Sequence, residues 1–141
     1  MADAKFEKVT RSDKPLYGVR KLLVCGFDAA AQPQFKNLLK MAGIKDLPVV
    51  WVTADQVDTR LSVLIEQPDN SGSSVSSTLP RAVIVSGITE NELHRLMDKG
   101  RKIGMKPVLW AALTPTSETW SAKALLAELS AERRAMQQNR K

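Results

Sequence analysis

The two halves of this chain repeat one another, and that repeat limits the possible folds more than any other feature of the sequence. Arg20 corresponds to Arg81, Val24 to Val85, Gly26 to Gly87, Gly43 to Gly104 and Lys45 to Lys106, all at one constant offset. After a two-residue slip, Pro48-Val-Val-Trp51 matches Pro107-Val-Leu-Trp110. Apolar positions follow the same correspondence, Phe35 with Leu96 and Ile44 with Met105. Self-similarity at a fixed spacing marks each copy as one supersecondary unit that cannot bury its apolar face alone.

Each copy reads as strand, helix, strand, helix. Lys21 to Phe27 is a short, nearly continuous apolar run, the pattern of a strand covered on both faces. Phe35, Leu38, Leu39 and Ala42 then fall at helical spacing, with Pro33 in the first turn and Gly43 as the stop. Leu47 to Thr53 is the second strand. Thr53 or Asp55 caps a second helix whose buried face is Val57, Leu61, Leu64 and Ile65. In the second copy, Arg81 to Ile88 is a strand, and Thr89-Glu-Asn-Glu92 is a capping box. Leu93, Leu96, Met97 and Gly100 form the helical stripe that Gly104 ends. Lys106 to Leu113 is the fourth strand. After the turn Thr114-Pro-Thr-Ser117, a last helix presents Leu125, Leu126, Leu129 and Met136 inward and frays into Gln137 to Lys141.

These elements predict an α/β fold, with two tandem βαβα units forming one four-stranded mixed sheet of order 2-1-3-4 covered by four helices. Strands one and three would then run antiparallel; a fully parallel sheet is the alternative. The 141 residues suit one compact domain. It divides into a mobile arm over 1–19, a first half over 20–67, a tether over 68–80 and a second half over 81–141. Leu16 and Tyr17 are the arm residues expected to pack on the domain edge. The tether, Pro68 to Pro80, is rich in Ser and Gly and can span roughly 20 Å as a random coil.

Composition restricts function. The single cysteine, Cys25, cannot form an internal disulfide, and with the single histidine, His94, it cannot build a Cys/His metal cluster. No apolar run reaches the ~20 residues of a membrane helix, and the N-terminus lacks the apolar core of a secretory signal. A reduced, cytoplasmic protein without metal or cofactor is the expectation. The net charge of +6 is unevenly placed. The surplus lies at the two ends and over 81–109, where Arg95, Lys99, Arg101, Lys102 and Lys106 are candidate contacts to nucleic acid. The plainer reading of those cations is a solvated surface, because acidic residues are mixed into every basic stretch.

The candidate ligand site is the turn from Thr114 to Trp120, with Thr114, Thr116, Ser117 and Trp120, together with Gly87 at the end of the preceding strand. The turn follows the C-terminal end of a strand, where open α/β sheets bind ligands. Helix capping is the plainer explanation of its hydroxyls. Thr53 and Asp55 hold the matching place in the first half. Cys25 precedes Gly26 as Ser86 precedes Gly87, so both read as small residues at a crowded strand end. His94 reads as solvent-exposed. Trp51 and Trp110 read as core or half-core packing.

The second half also carries Ser86-Gly87-Ile88, Glu92-Leu93, Thr114-Pro115-Thr116, Trp120 and Leu125-Leu126-Ala127-Glu128-Leu129. In these residues it resembles, over 81–132, a bacterial family catalogued only as a domain of unknown function. It departs from that pattern at Ser117, where Asn is expected, and at Trp110, where Lys is expected. The resemblance implies the fold of the second half and brings no activity with it. The leading expectation is a non-catalytic binding or regulatory module that works through a protein partner, a homo-oligomer or a small anion. A weak RNA binder using the basic arm and residues 81–109 is the alternative. An enzyme or anion site at Thr114–Trp120 is the second.

Overall fold

A computed structural model describes residues 13–139, with side chains through residue 136. Four strands form one sheet in the order β2-β1-β3-β4: β1 Lys21–Cys25, β2 Val49–Val52, β3 Ala82–Ser86 and β4 Leu109–Ala112. β1 and β2 are parallel, β3 and β4 are parallel, and β1 meets β3 antiparallel. This is the mixed four-stranded α/β sheet the sequence predicts. Four α-helices cover it: α1 Gln32–Met41, α2 Leu61–Leu64, α3 Glu90–Lys102 and α4 Ala122–Asn139.

Apart from Lys21 and Ser86 at their ends, the strands are apolar because both faces are covered. Alternate side chains leave a strand on opposite sides. Leu22 and Val24 therefore join Val49, Trp51, Val83 and Val85 in one core, under Phe35 and Leu38 of α1 and Leu96 of α3. Leu23 and Cys25 join Val50, Val52, Ala82 and Ile84 in the other, under Leu61 and Leu64 of α2 and Leu125 and Leu126 of α4. β4 is the exception. It is only half-buried, and Ala112 is exposed.

A twofold relation between the halves is visible in reciprocal contacts. The Leu61 N–H donates to the Trp120 carbonyl at 2.9 Å, and the Ala122 N–H donates to the Thr59 carbonyl at 3.1 Å. Leu61 matches Ala122, and Thr59 matches Trp120, at the offset that relates Gly26 to Gly87. Arg60 and Ser121, also equivalent, bridge between them.

These contacts also correct one expected element. The helix expected across Val57 to Ile65 is divided into a 3-10 turn, Ala54–Gln56, and the four-residue α2. The backbone between them is diverted to bond with the second half: besides Thr59 and Leu61, the Val57 carbonyl accepts from the Lys123 N–H at 2.8 Å. Pro68 stops any extension, because the residue before a proline disfavours the helical region.

Residues 68–76 are held against the first half rather than looping free. Asn70 N–H donates to the Val49 carbonyl at 2.7 Å, and Trp51 N–H donates to the Ser71 carbonyl at 2.8 Å. The Asp69 carboxylate accepts from the Val49 N–H at 2.8 Å. Gln32, buried at the start of α1, donates to the Val75 carbonyl and accepts from the Ser74 N–H. Gly72 makes this approach possible: a Cβ there would stand 2.0 Å from the Trp51 carbonyl oxygen. The polar composition of this segment therefore supplies partners for a strand edge. Of the expected arm, residues 1–12 lie outside the described residues. Pro15 bridges to Thr89, Leu16 N–H donates to the Ile88 carbonyl at 2.7 Å, and Leu16 packs against the core.

The Thr89–Glu92 capping box forms as predicted, with Glu92 N–H donating to Thr89 Oγ1 and Thr89 N–H to Glu92 Oε1. Glu92 also accepts two hydrogen bonds from Arg20, at 2.8 and 2.7 Å, which ties the cap to the entry of β1. The Arg20 bond is the main reason the Glu92 carboxyl is held below its ordinary pKa. The pair's contribution is full above the unfolded carboxyl's ~4.3 and is lost as pH falls through the lower folded value. Glu92→Gln is expected to destabilise by about 1–2 kcal/mol at pH 7. Urea unfolding at stepped pH should show that difference shrinking toward pH ~3; a constant difference would contradict the assignment.

Candidate binding groove

The turn at Thr114 closes on itself. Ser117 is buried; Thr114 N–H donates to Ser117 Oγ at 3.0 Å, and Ser117 N–H donates to Thr114 Oγ1 at 2.9 Å. Thr119 Oγ1 donates to the Thr116 carbonyl, and Trp120 is half-buried against the second core. The hydroxyls of Thr114, Ser117 and Thr119 are thus engaged within the turn, whereas Thr116, at the N-cap of the 3-10 turn Ser117–Thr119, makes no side-chain capping bond. Gly87 lies at the end of β3, where the backbone of residues 18–20 occupies the space a side chain would need. Tyr17 hydrogen-bonds Glu118 and brings the entry segment against the turn. None of the three hollows beside Trp110, Lys36 and Leu79 is lined by residues 114–120.

The expected basic contacts are divided among different surfaces. Arg95, Lys99 and Lys102 fall at i, i+4, i+7 and so share one side of α3. Arg95 extends toward Gly43 at the end of α1. Arg101 pairs with Asp98 and, with Lys106, lines a groove elsewhere. Lys99, Arg101 and Lys102 occupy the last turn of α3, where cations complement the helix dipole. One smaller hollow, of about 430 Å³, lies beside Lys36 and Lys40, and another, of about 200 Å³, beside Leu79 and Leu126.

Cys25 is fully buried, and burial pushes its thiol up to about 12. It is therefore a packing residue rather than a nucleophile at neutral pH. A disulfide-exchange reagent such as DTNB is expected to label it in native protein only at the rate of global unfolding, and at once in denaturant. Rapid labelling of native protein would contradict this. His94 is half-buried rather than exposed. Among the described residues, no group of three or more His, Cys, Asp or Glu side chains could hold a metal ion, and no helix is long and apolar enough to cross a membrane.

The concave feature with the greatest volume among these three lies at the β4 edge, between α3 and α4, and encloses about 720 Å³. Its position follows from helix length. The eighteen residues of α4 extend about 27 Å at 1.5 Å per residue, whereas a four-residue strand covers about 13 Å. The end of α4 therefore overhangs the sheet. Met136, expected to face inward, is 62% exposed for that reason. The walls are Met97 and Gly100 from α3, Trp110 from β4, Met105 from the connection, and Leu129 and Met136 from α4. Three of the chain's five methionines lie here. Thioether side chains are flexible and polarizable and suit surfaces that repack around a partner. Arg101, Lys106 and Arg133 line the groove as cations, against Glu132 as the carboxylate.

Sequence reasoning placed Met97, Leu129 and Met136 on interior stripes and Trp110 in half-core packing, and so missed that together they line a groove. The available signal was the unequal length of the two halves: a last helix much longer than its repeat partner must run past the sheet.

No curated protein and no solved structure matches the chain. Residues 81–136 match the model of a family described as a domain of unknown function (DUF3783), a segment that includes every residue lining the groove, and it is through this second half that the chain is similar to that family.

Proposed function

We propose that the protein is a non-catalytic binding module that docks a protein partner in the groove between α3, β4 and α4. The observation that carries this reading is the concentration of Met97, Met105, Trp110, Leu129 and Met136 around one 720 Å³ hollow at the least covered part of the sheet. Concave apolar surface with a few charged groups at its margin is the usual form of a recognition site. The capping bonds inside Thr114–Ser117 and the burial of Cys25 favour binding over catalysis, since both engage the groups a reaction would need.

Selection of a random peptide display library on the full chain tests the reading. Selected peptides are expected to lose binding to Leu129→Asp and Met136→Glu, and to keep it for Lys40→Glu beside the other hollow. Peptides that map to Thr114–Trp120, or no peptides at all with salt-sensitive binding of homopolymer RNA instead, would overturn it.

A further inference from the structure

The two outer strands of the sheet end differently. At β2, the outward-facing groups of Val49 and Trp51 are engaged by Asp69, Asn70 and Ser71. At β4, Leu109 N–H donates inward to the Arg81 carbonyl and Leu113 N–H to the Val85 carbonyl. The intervening Trp110 and Ala112 therefore direct their N–H and C=O groups away from β3. Among the described residues, none forms a hydrogen bond to those outward groups. Trp110 is the repeat partner of Trp51, so one half covers the same edge that the other leaves open.

Building on the proposed docking function, we infer that the groove takes an extended, acidic segment of a partner protein, which adds to β4 as a fifth strand. The slot has helices on both sides of the sheet plane. A strand placed there meets Met97 of α3 on one face and Leu129 and Met136 of α4 on the other. It also passes Lys106 and Arg133, which outnumber Glu132, while Arg101 at the same wall is paired with Asp98. Main-chain pairing would supply affinity, and the two walls would select side chains. The same cations argue against a second copy of this chain as occupant. A copy pairing through its own β4 would present residues 105–116, which contain no carboxylate to meet these cations. The β2 edge shows the corresponding arrangement within the molecule, where an aspartate-bearing segment lies along the strand.

The test uses the full chain and a capped nonapeptide with a valine–alanine core and two glutamates at each end, beside its lysine counterpart. The glutamate peptide is expected to protect the Trp110 and Ala112 amides from hydrogen exchange and to bind at least about tenfold tighter than the lysine peptide. Ala112→Pro removes one outward donor and no native bond, so it should weaken binding about tenfold or more without lowering the melting temperature by more than ~3 °C. Should Ala112→Pro fail to fold, N-methylation of alternate peptide amides must abolish binding instead. Equal binding of both peptides, binding without amide protection, no binding of either, or protection that depends on protein concentration alone would each overturn the inference. In any of those cases, display-selected peptides that still depend on Leu129 and Met136 would leave the docking function standing.

Discussion

Gly87→Ala is expected to lower the unfolding free energy by about 3–5 kcal/mol, a large part of the ~5–15 kcal/mol available to a domain of this size. Two effects combine. Gly87 has φ +68°, a left-handed conformation that is unfavourable for any side chain with a Cβ. An added Cβ would also stand 2.5 Å from the Val19 carbonyl carbon and 2.6 Å from the Arg20 nitrogen, both backbone atoms of a segment fixed between Tyr17 and β1. Gly26→Ala should cost a similar amount, because its Cβ would stand 2.4 and 2.5 Å from the Leu79 and Pro80 carbonyl oxygens at the matching place in the other half. Gly104 separates the two effects. It has φ +73° and no heavy atom within 4 Å of its ideal Cβ, so Gly104→Ala should show the conformational cost alone, about 1–2 kcal/mol. Urea midpoints with unchanged slopes give all three values. Equal losses at Gly87 and Gly104 would show that the strand-end contact adds nothing.

The same glycines explain how much of the fold was legible in the sequence. Gly26 and Gly87 mark strand ends, Gly43 and Gly104 mark helix ends, and the apolar runs between them have the lengths of strands and helices. Strand order and direction followed from pairing two like units through their first strands. What failed depended on backbone contacts between segments far apart in the chain. Val57 to Ile65 has helical spacing, yet its backbone bonds to residues 120–123 and only Leu61–Leu64 is α-helical. Residues 68–76 have the composition of a flexible chain, but the Asp69 carboxylate and the Gln32 amide turn them into a cover for β2. Periodicity reports which face of an element is apolar and carries no information about which backbone groups will find partners in distant segments.

The candidate site was legible only as residue types. Hydroxyls at Thr114 and Ser117 have the chemistry of both a cap and an anion site, and in the structure they bond to each other's backbone N–H. The groove arises from a property that no single stripe contains: α4 is longer than the strand it packs beside. Met136 obeys the same helical spacing as Leu125 and Leu129, but the sheet ends before reaching it. An apolar stripe that outruns its support becomes exposed surface.

Trp51→Ala is expected to cost about 3–5 kcal/mol and Trp110→Ala only about 1 kcal/mol, although the two residues match across the repeat. Trp51 is 2% exposed and meets Phe35 edge-on at 5.9 Å and Phe27 at 6.3 Å, so its removal leaves a cavity among rings already packed against one another. Phe27 in turn stacks under the Arg81 guanidinium at 4.3 Å, which couples this cluster to the entry of β3. Trp110 is half-buried, and its loss opens onto the groove, where water replaces it. Trp51→Phe refines the comparison. The indole N–H of Trp51 is buried without a hydrogen-bond partner, so phenylalanine removes an unsatisfied donor as it gives up volume, and the net change should stay within about 1.5 kcal/mol. Thermal and urea unfolding of the variants measures the difference, and acrylamide quenching should distinguish an inaccessible Trp51 from an accessible Trp110. Equal destabilisation by the two alanine variants would mean that β4 carries as much of the core as β2. The opposite result gives the divergence of the repeat its physical meaning: the same tryptophan closes the core at the covered edge and stands half-buried over the groove at the open one.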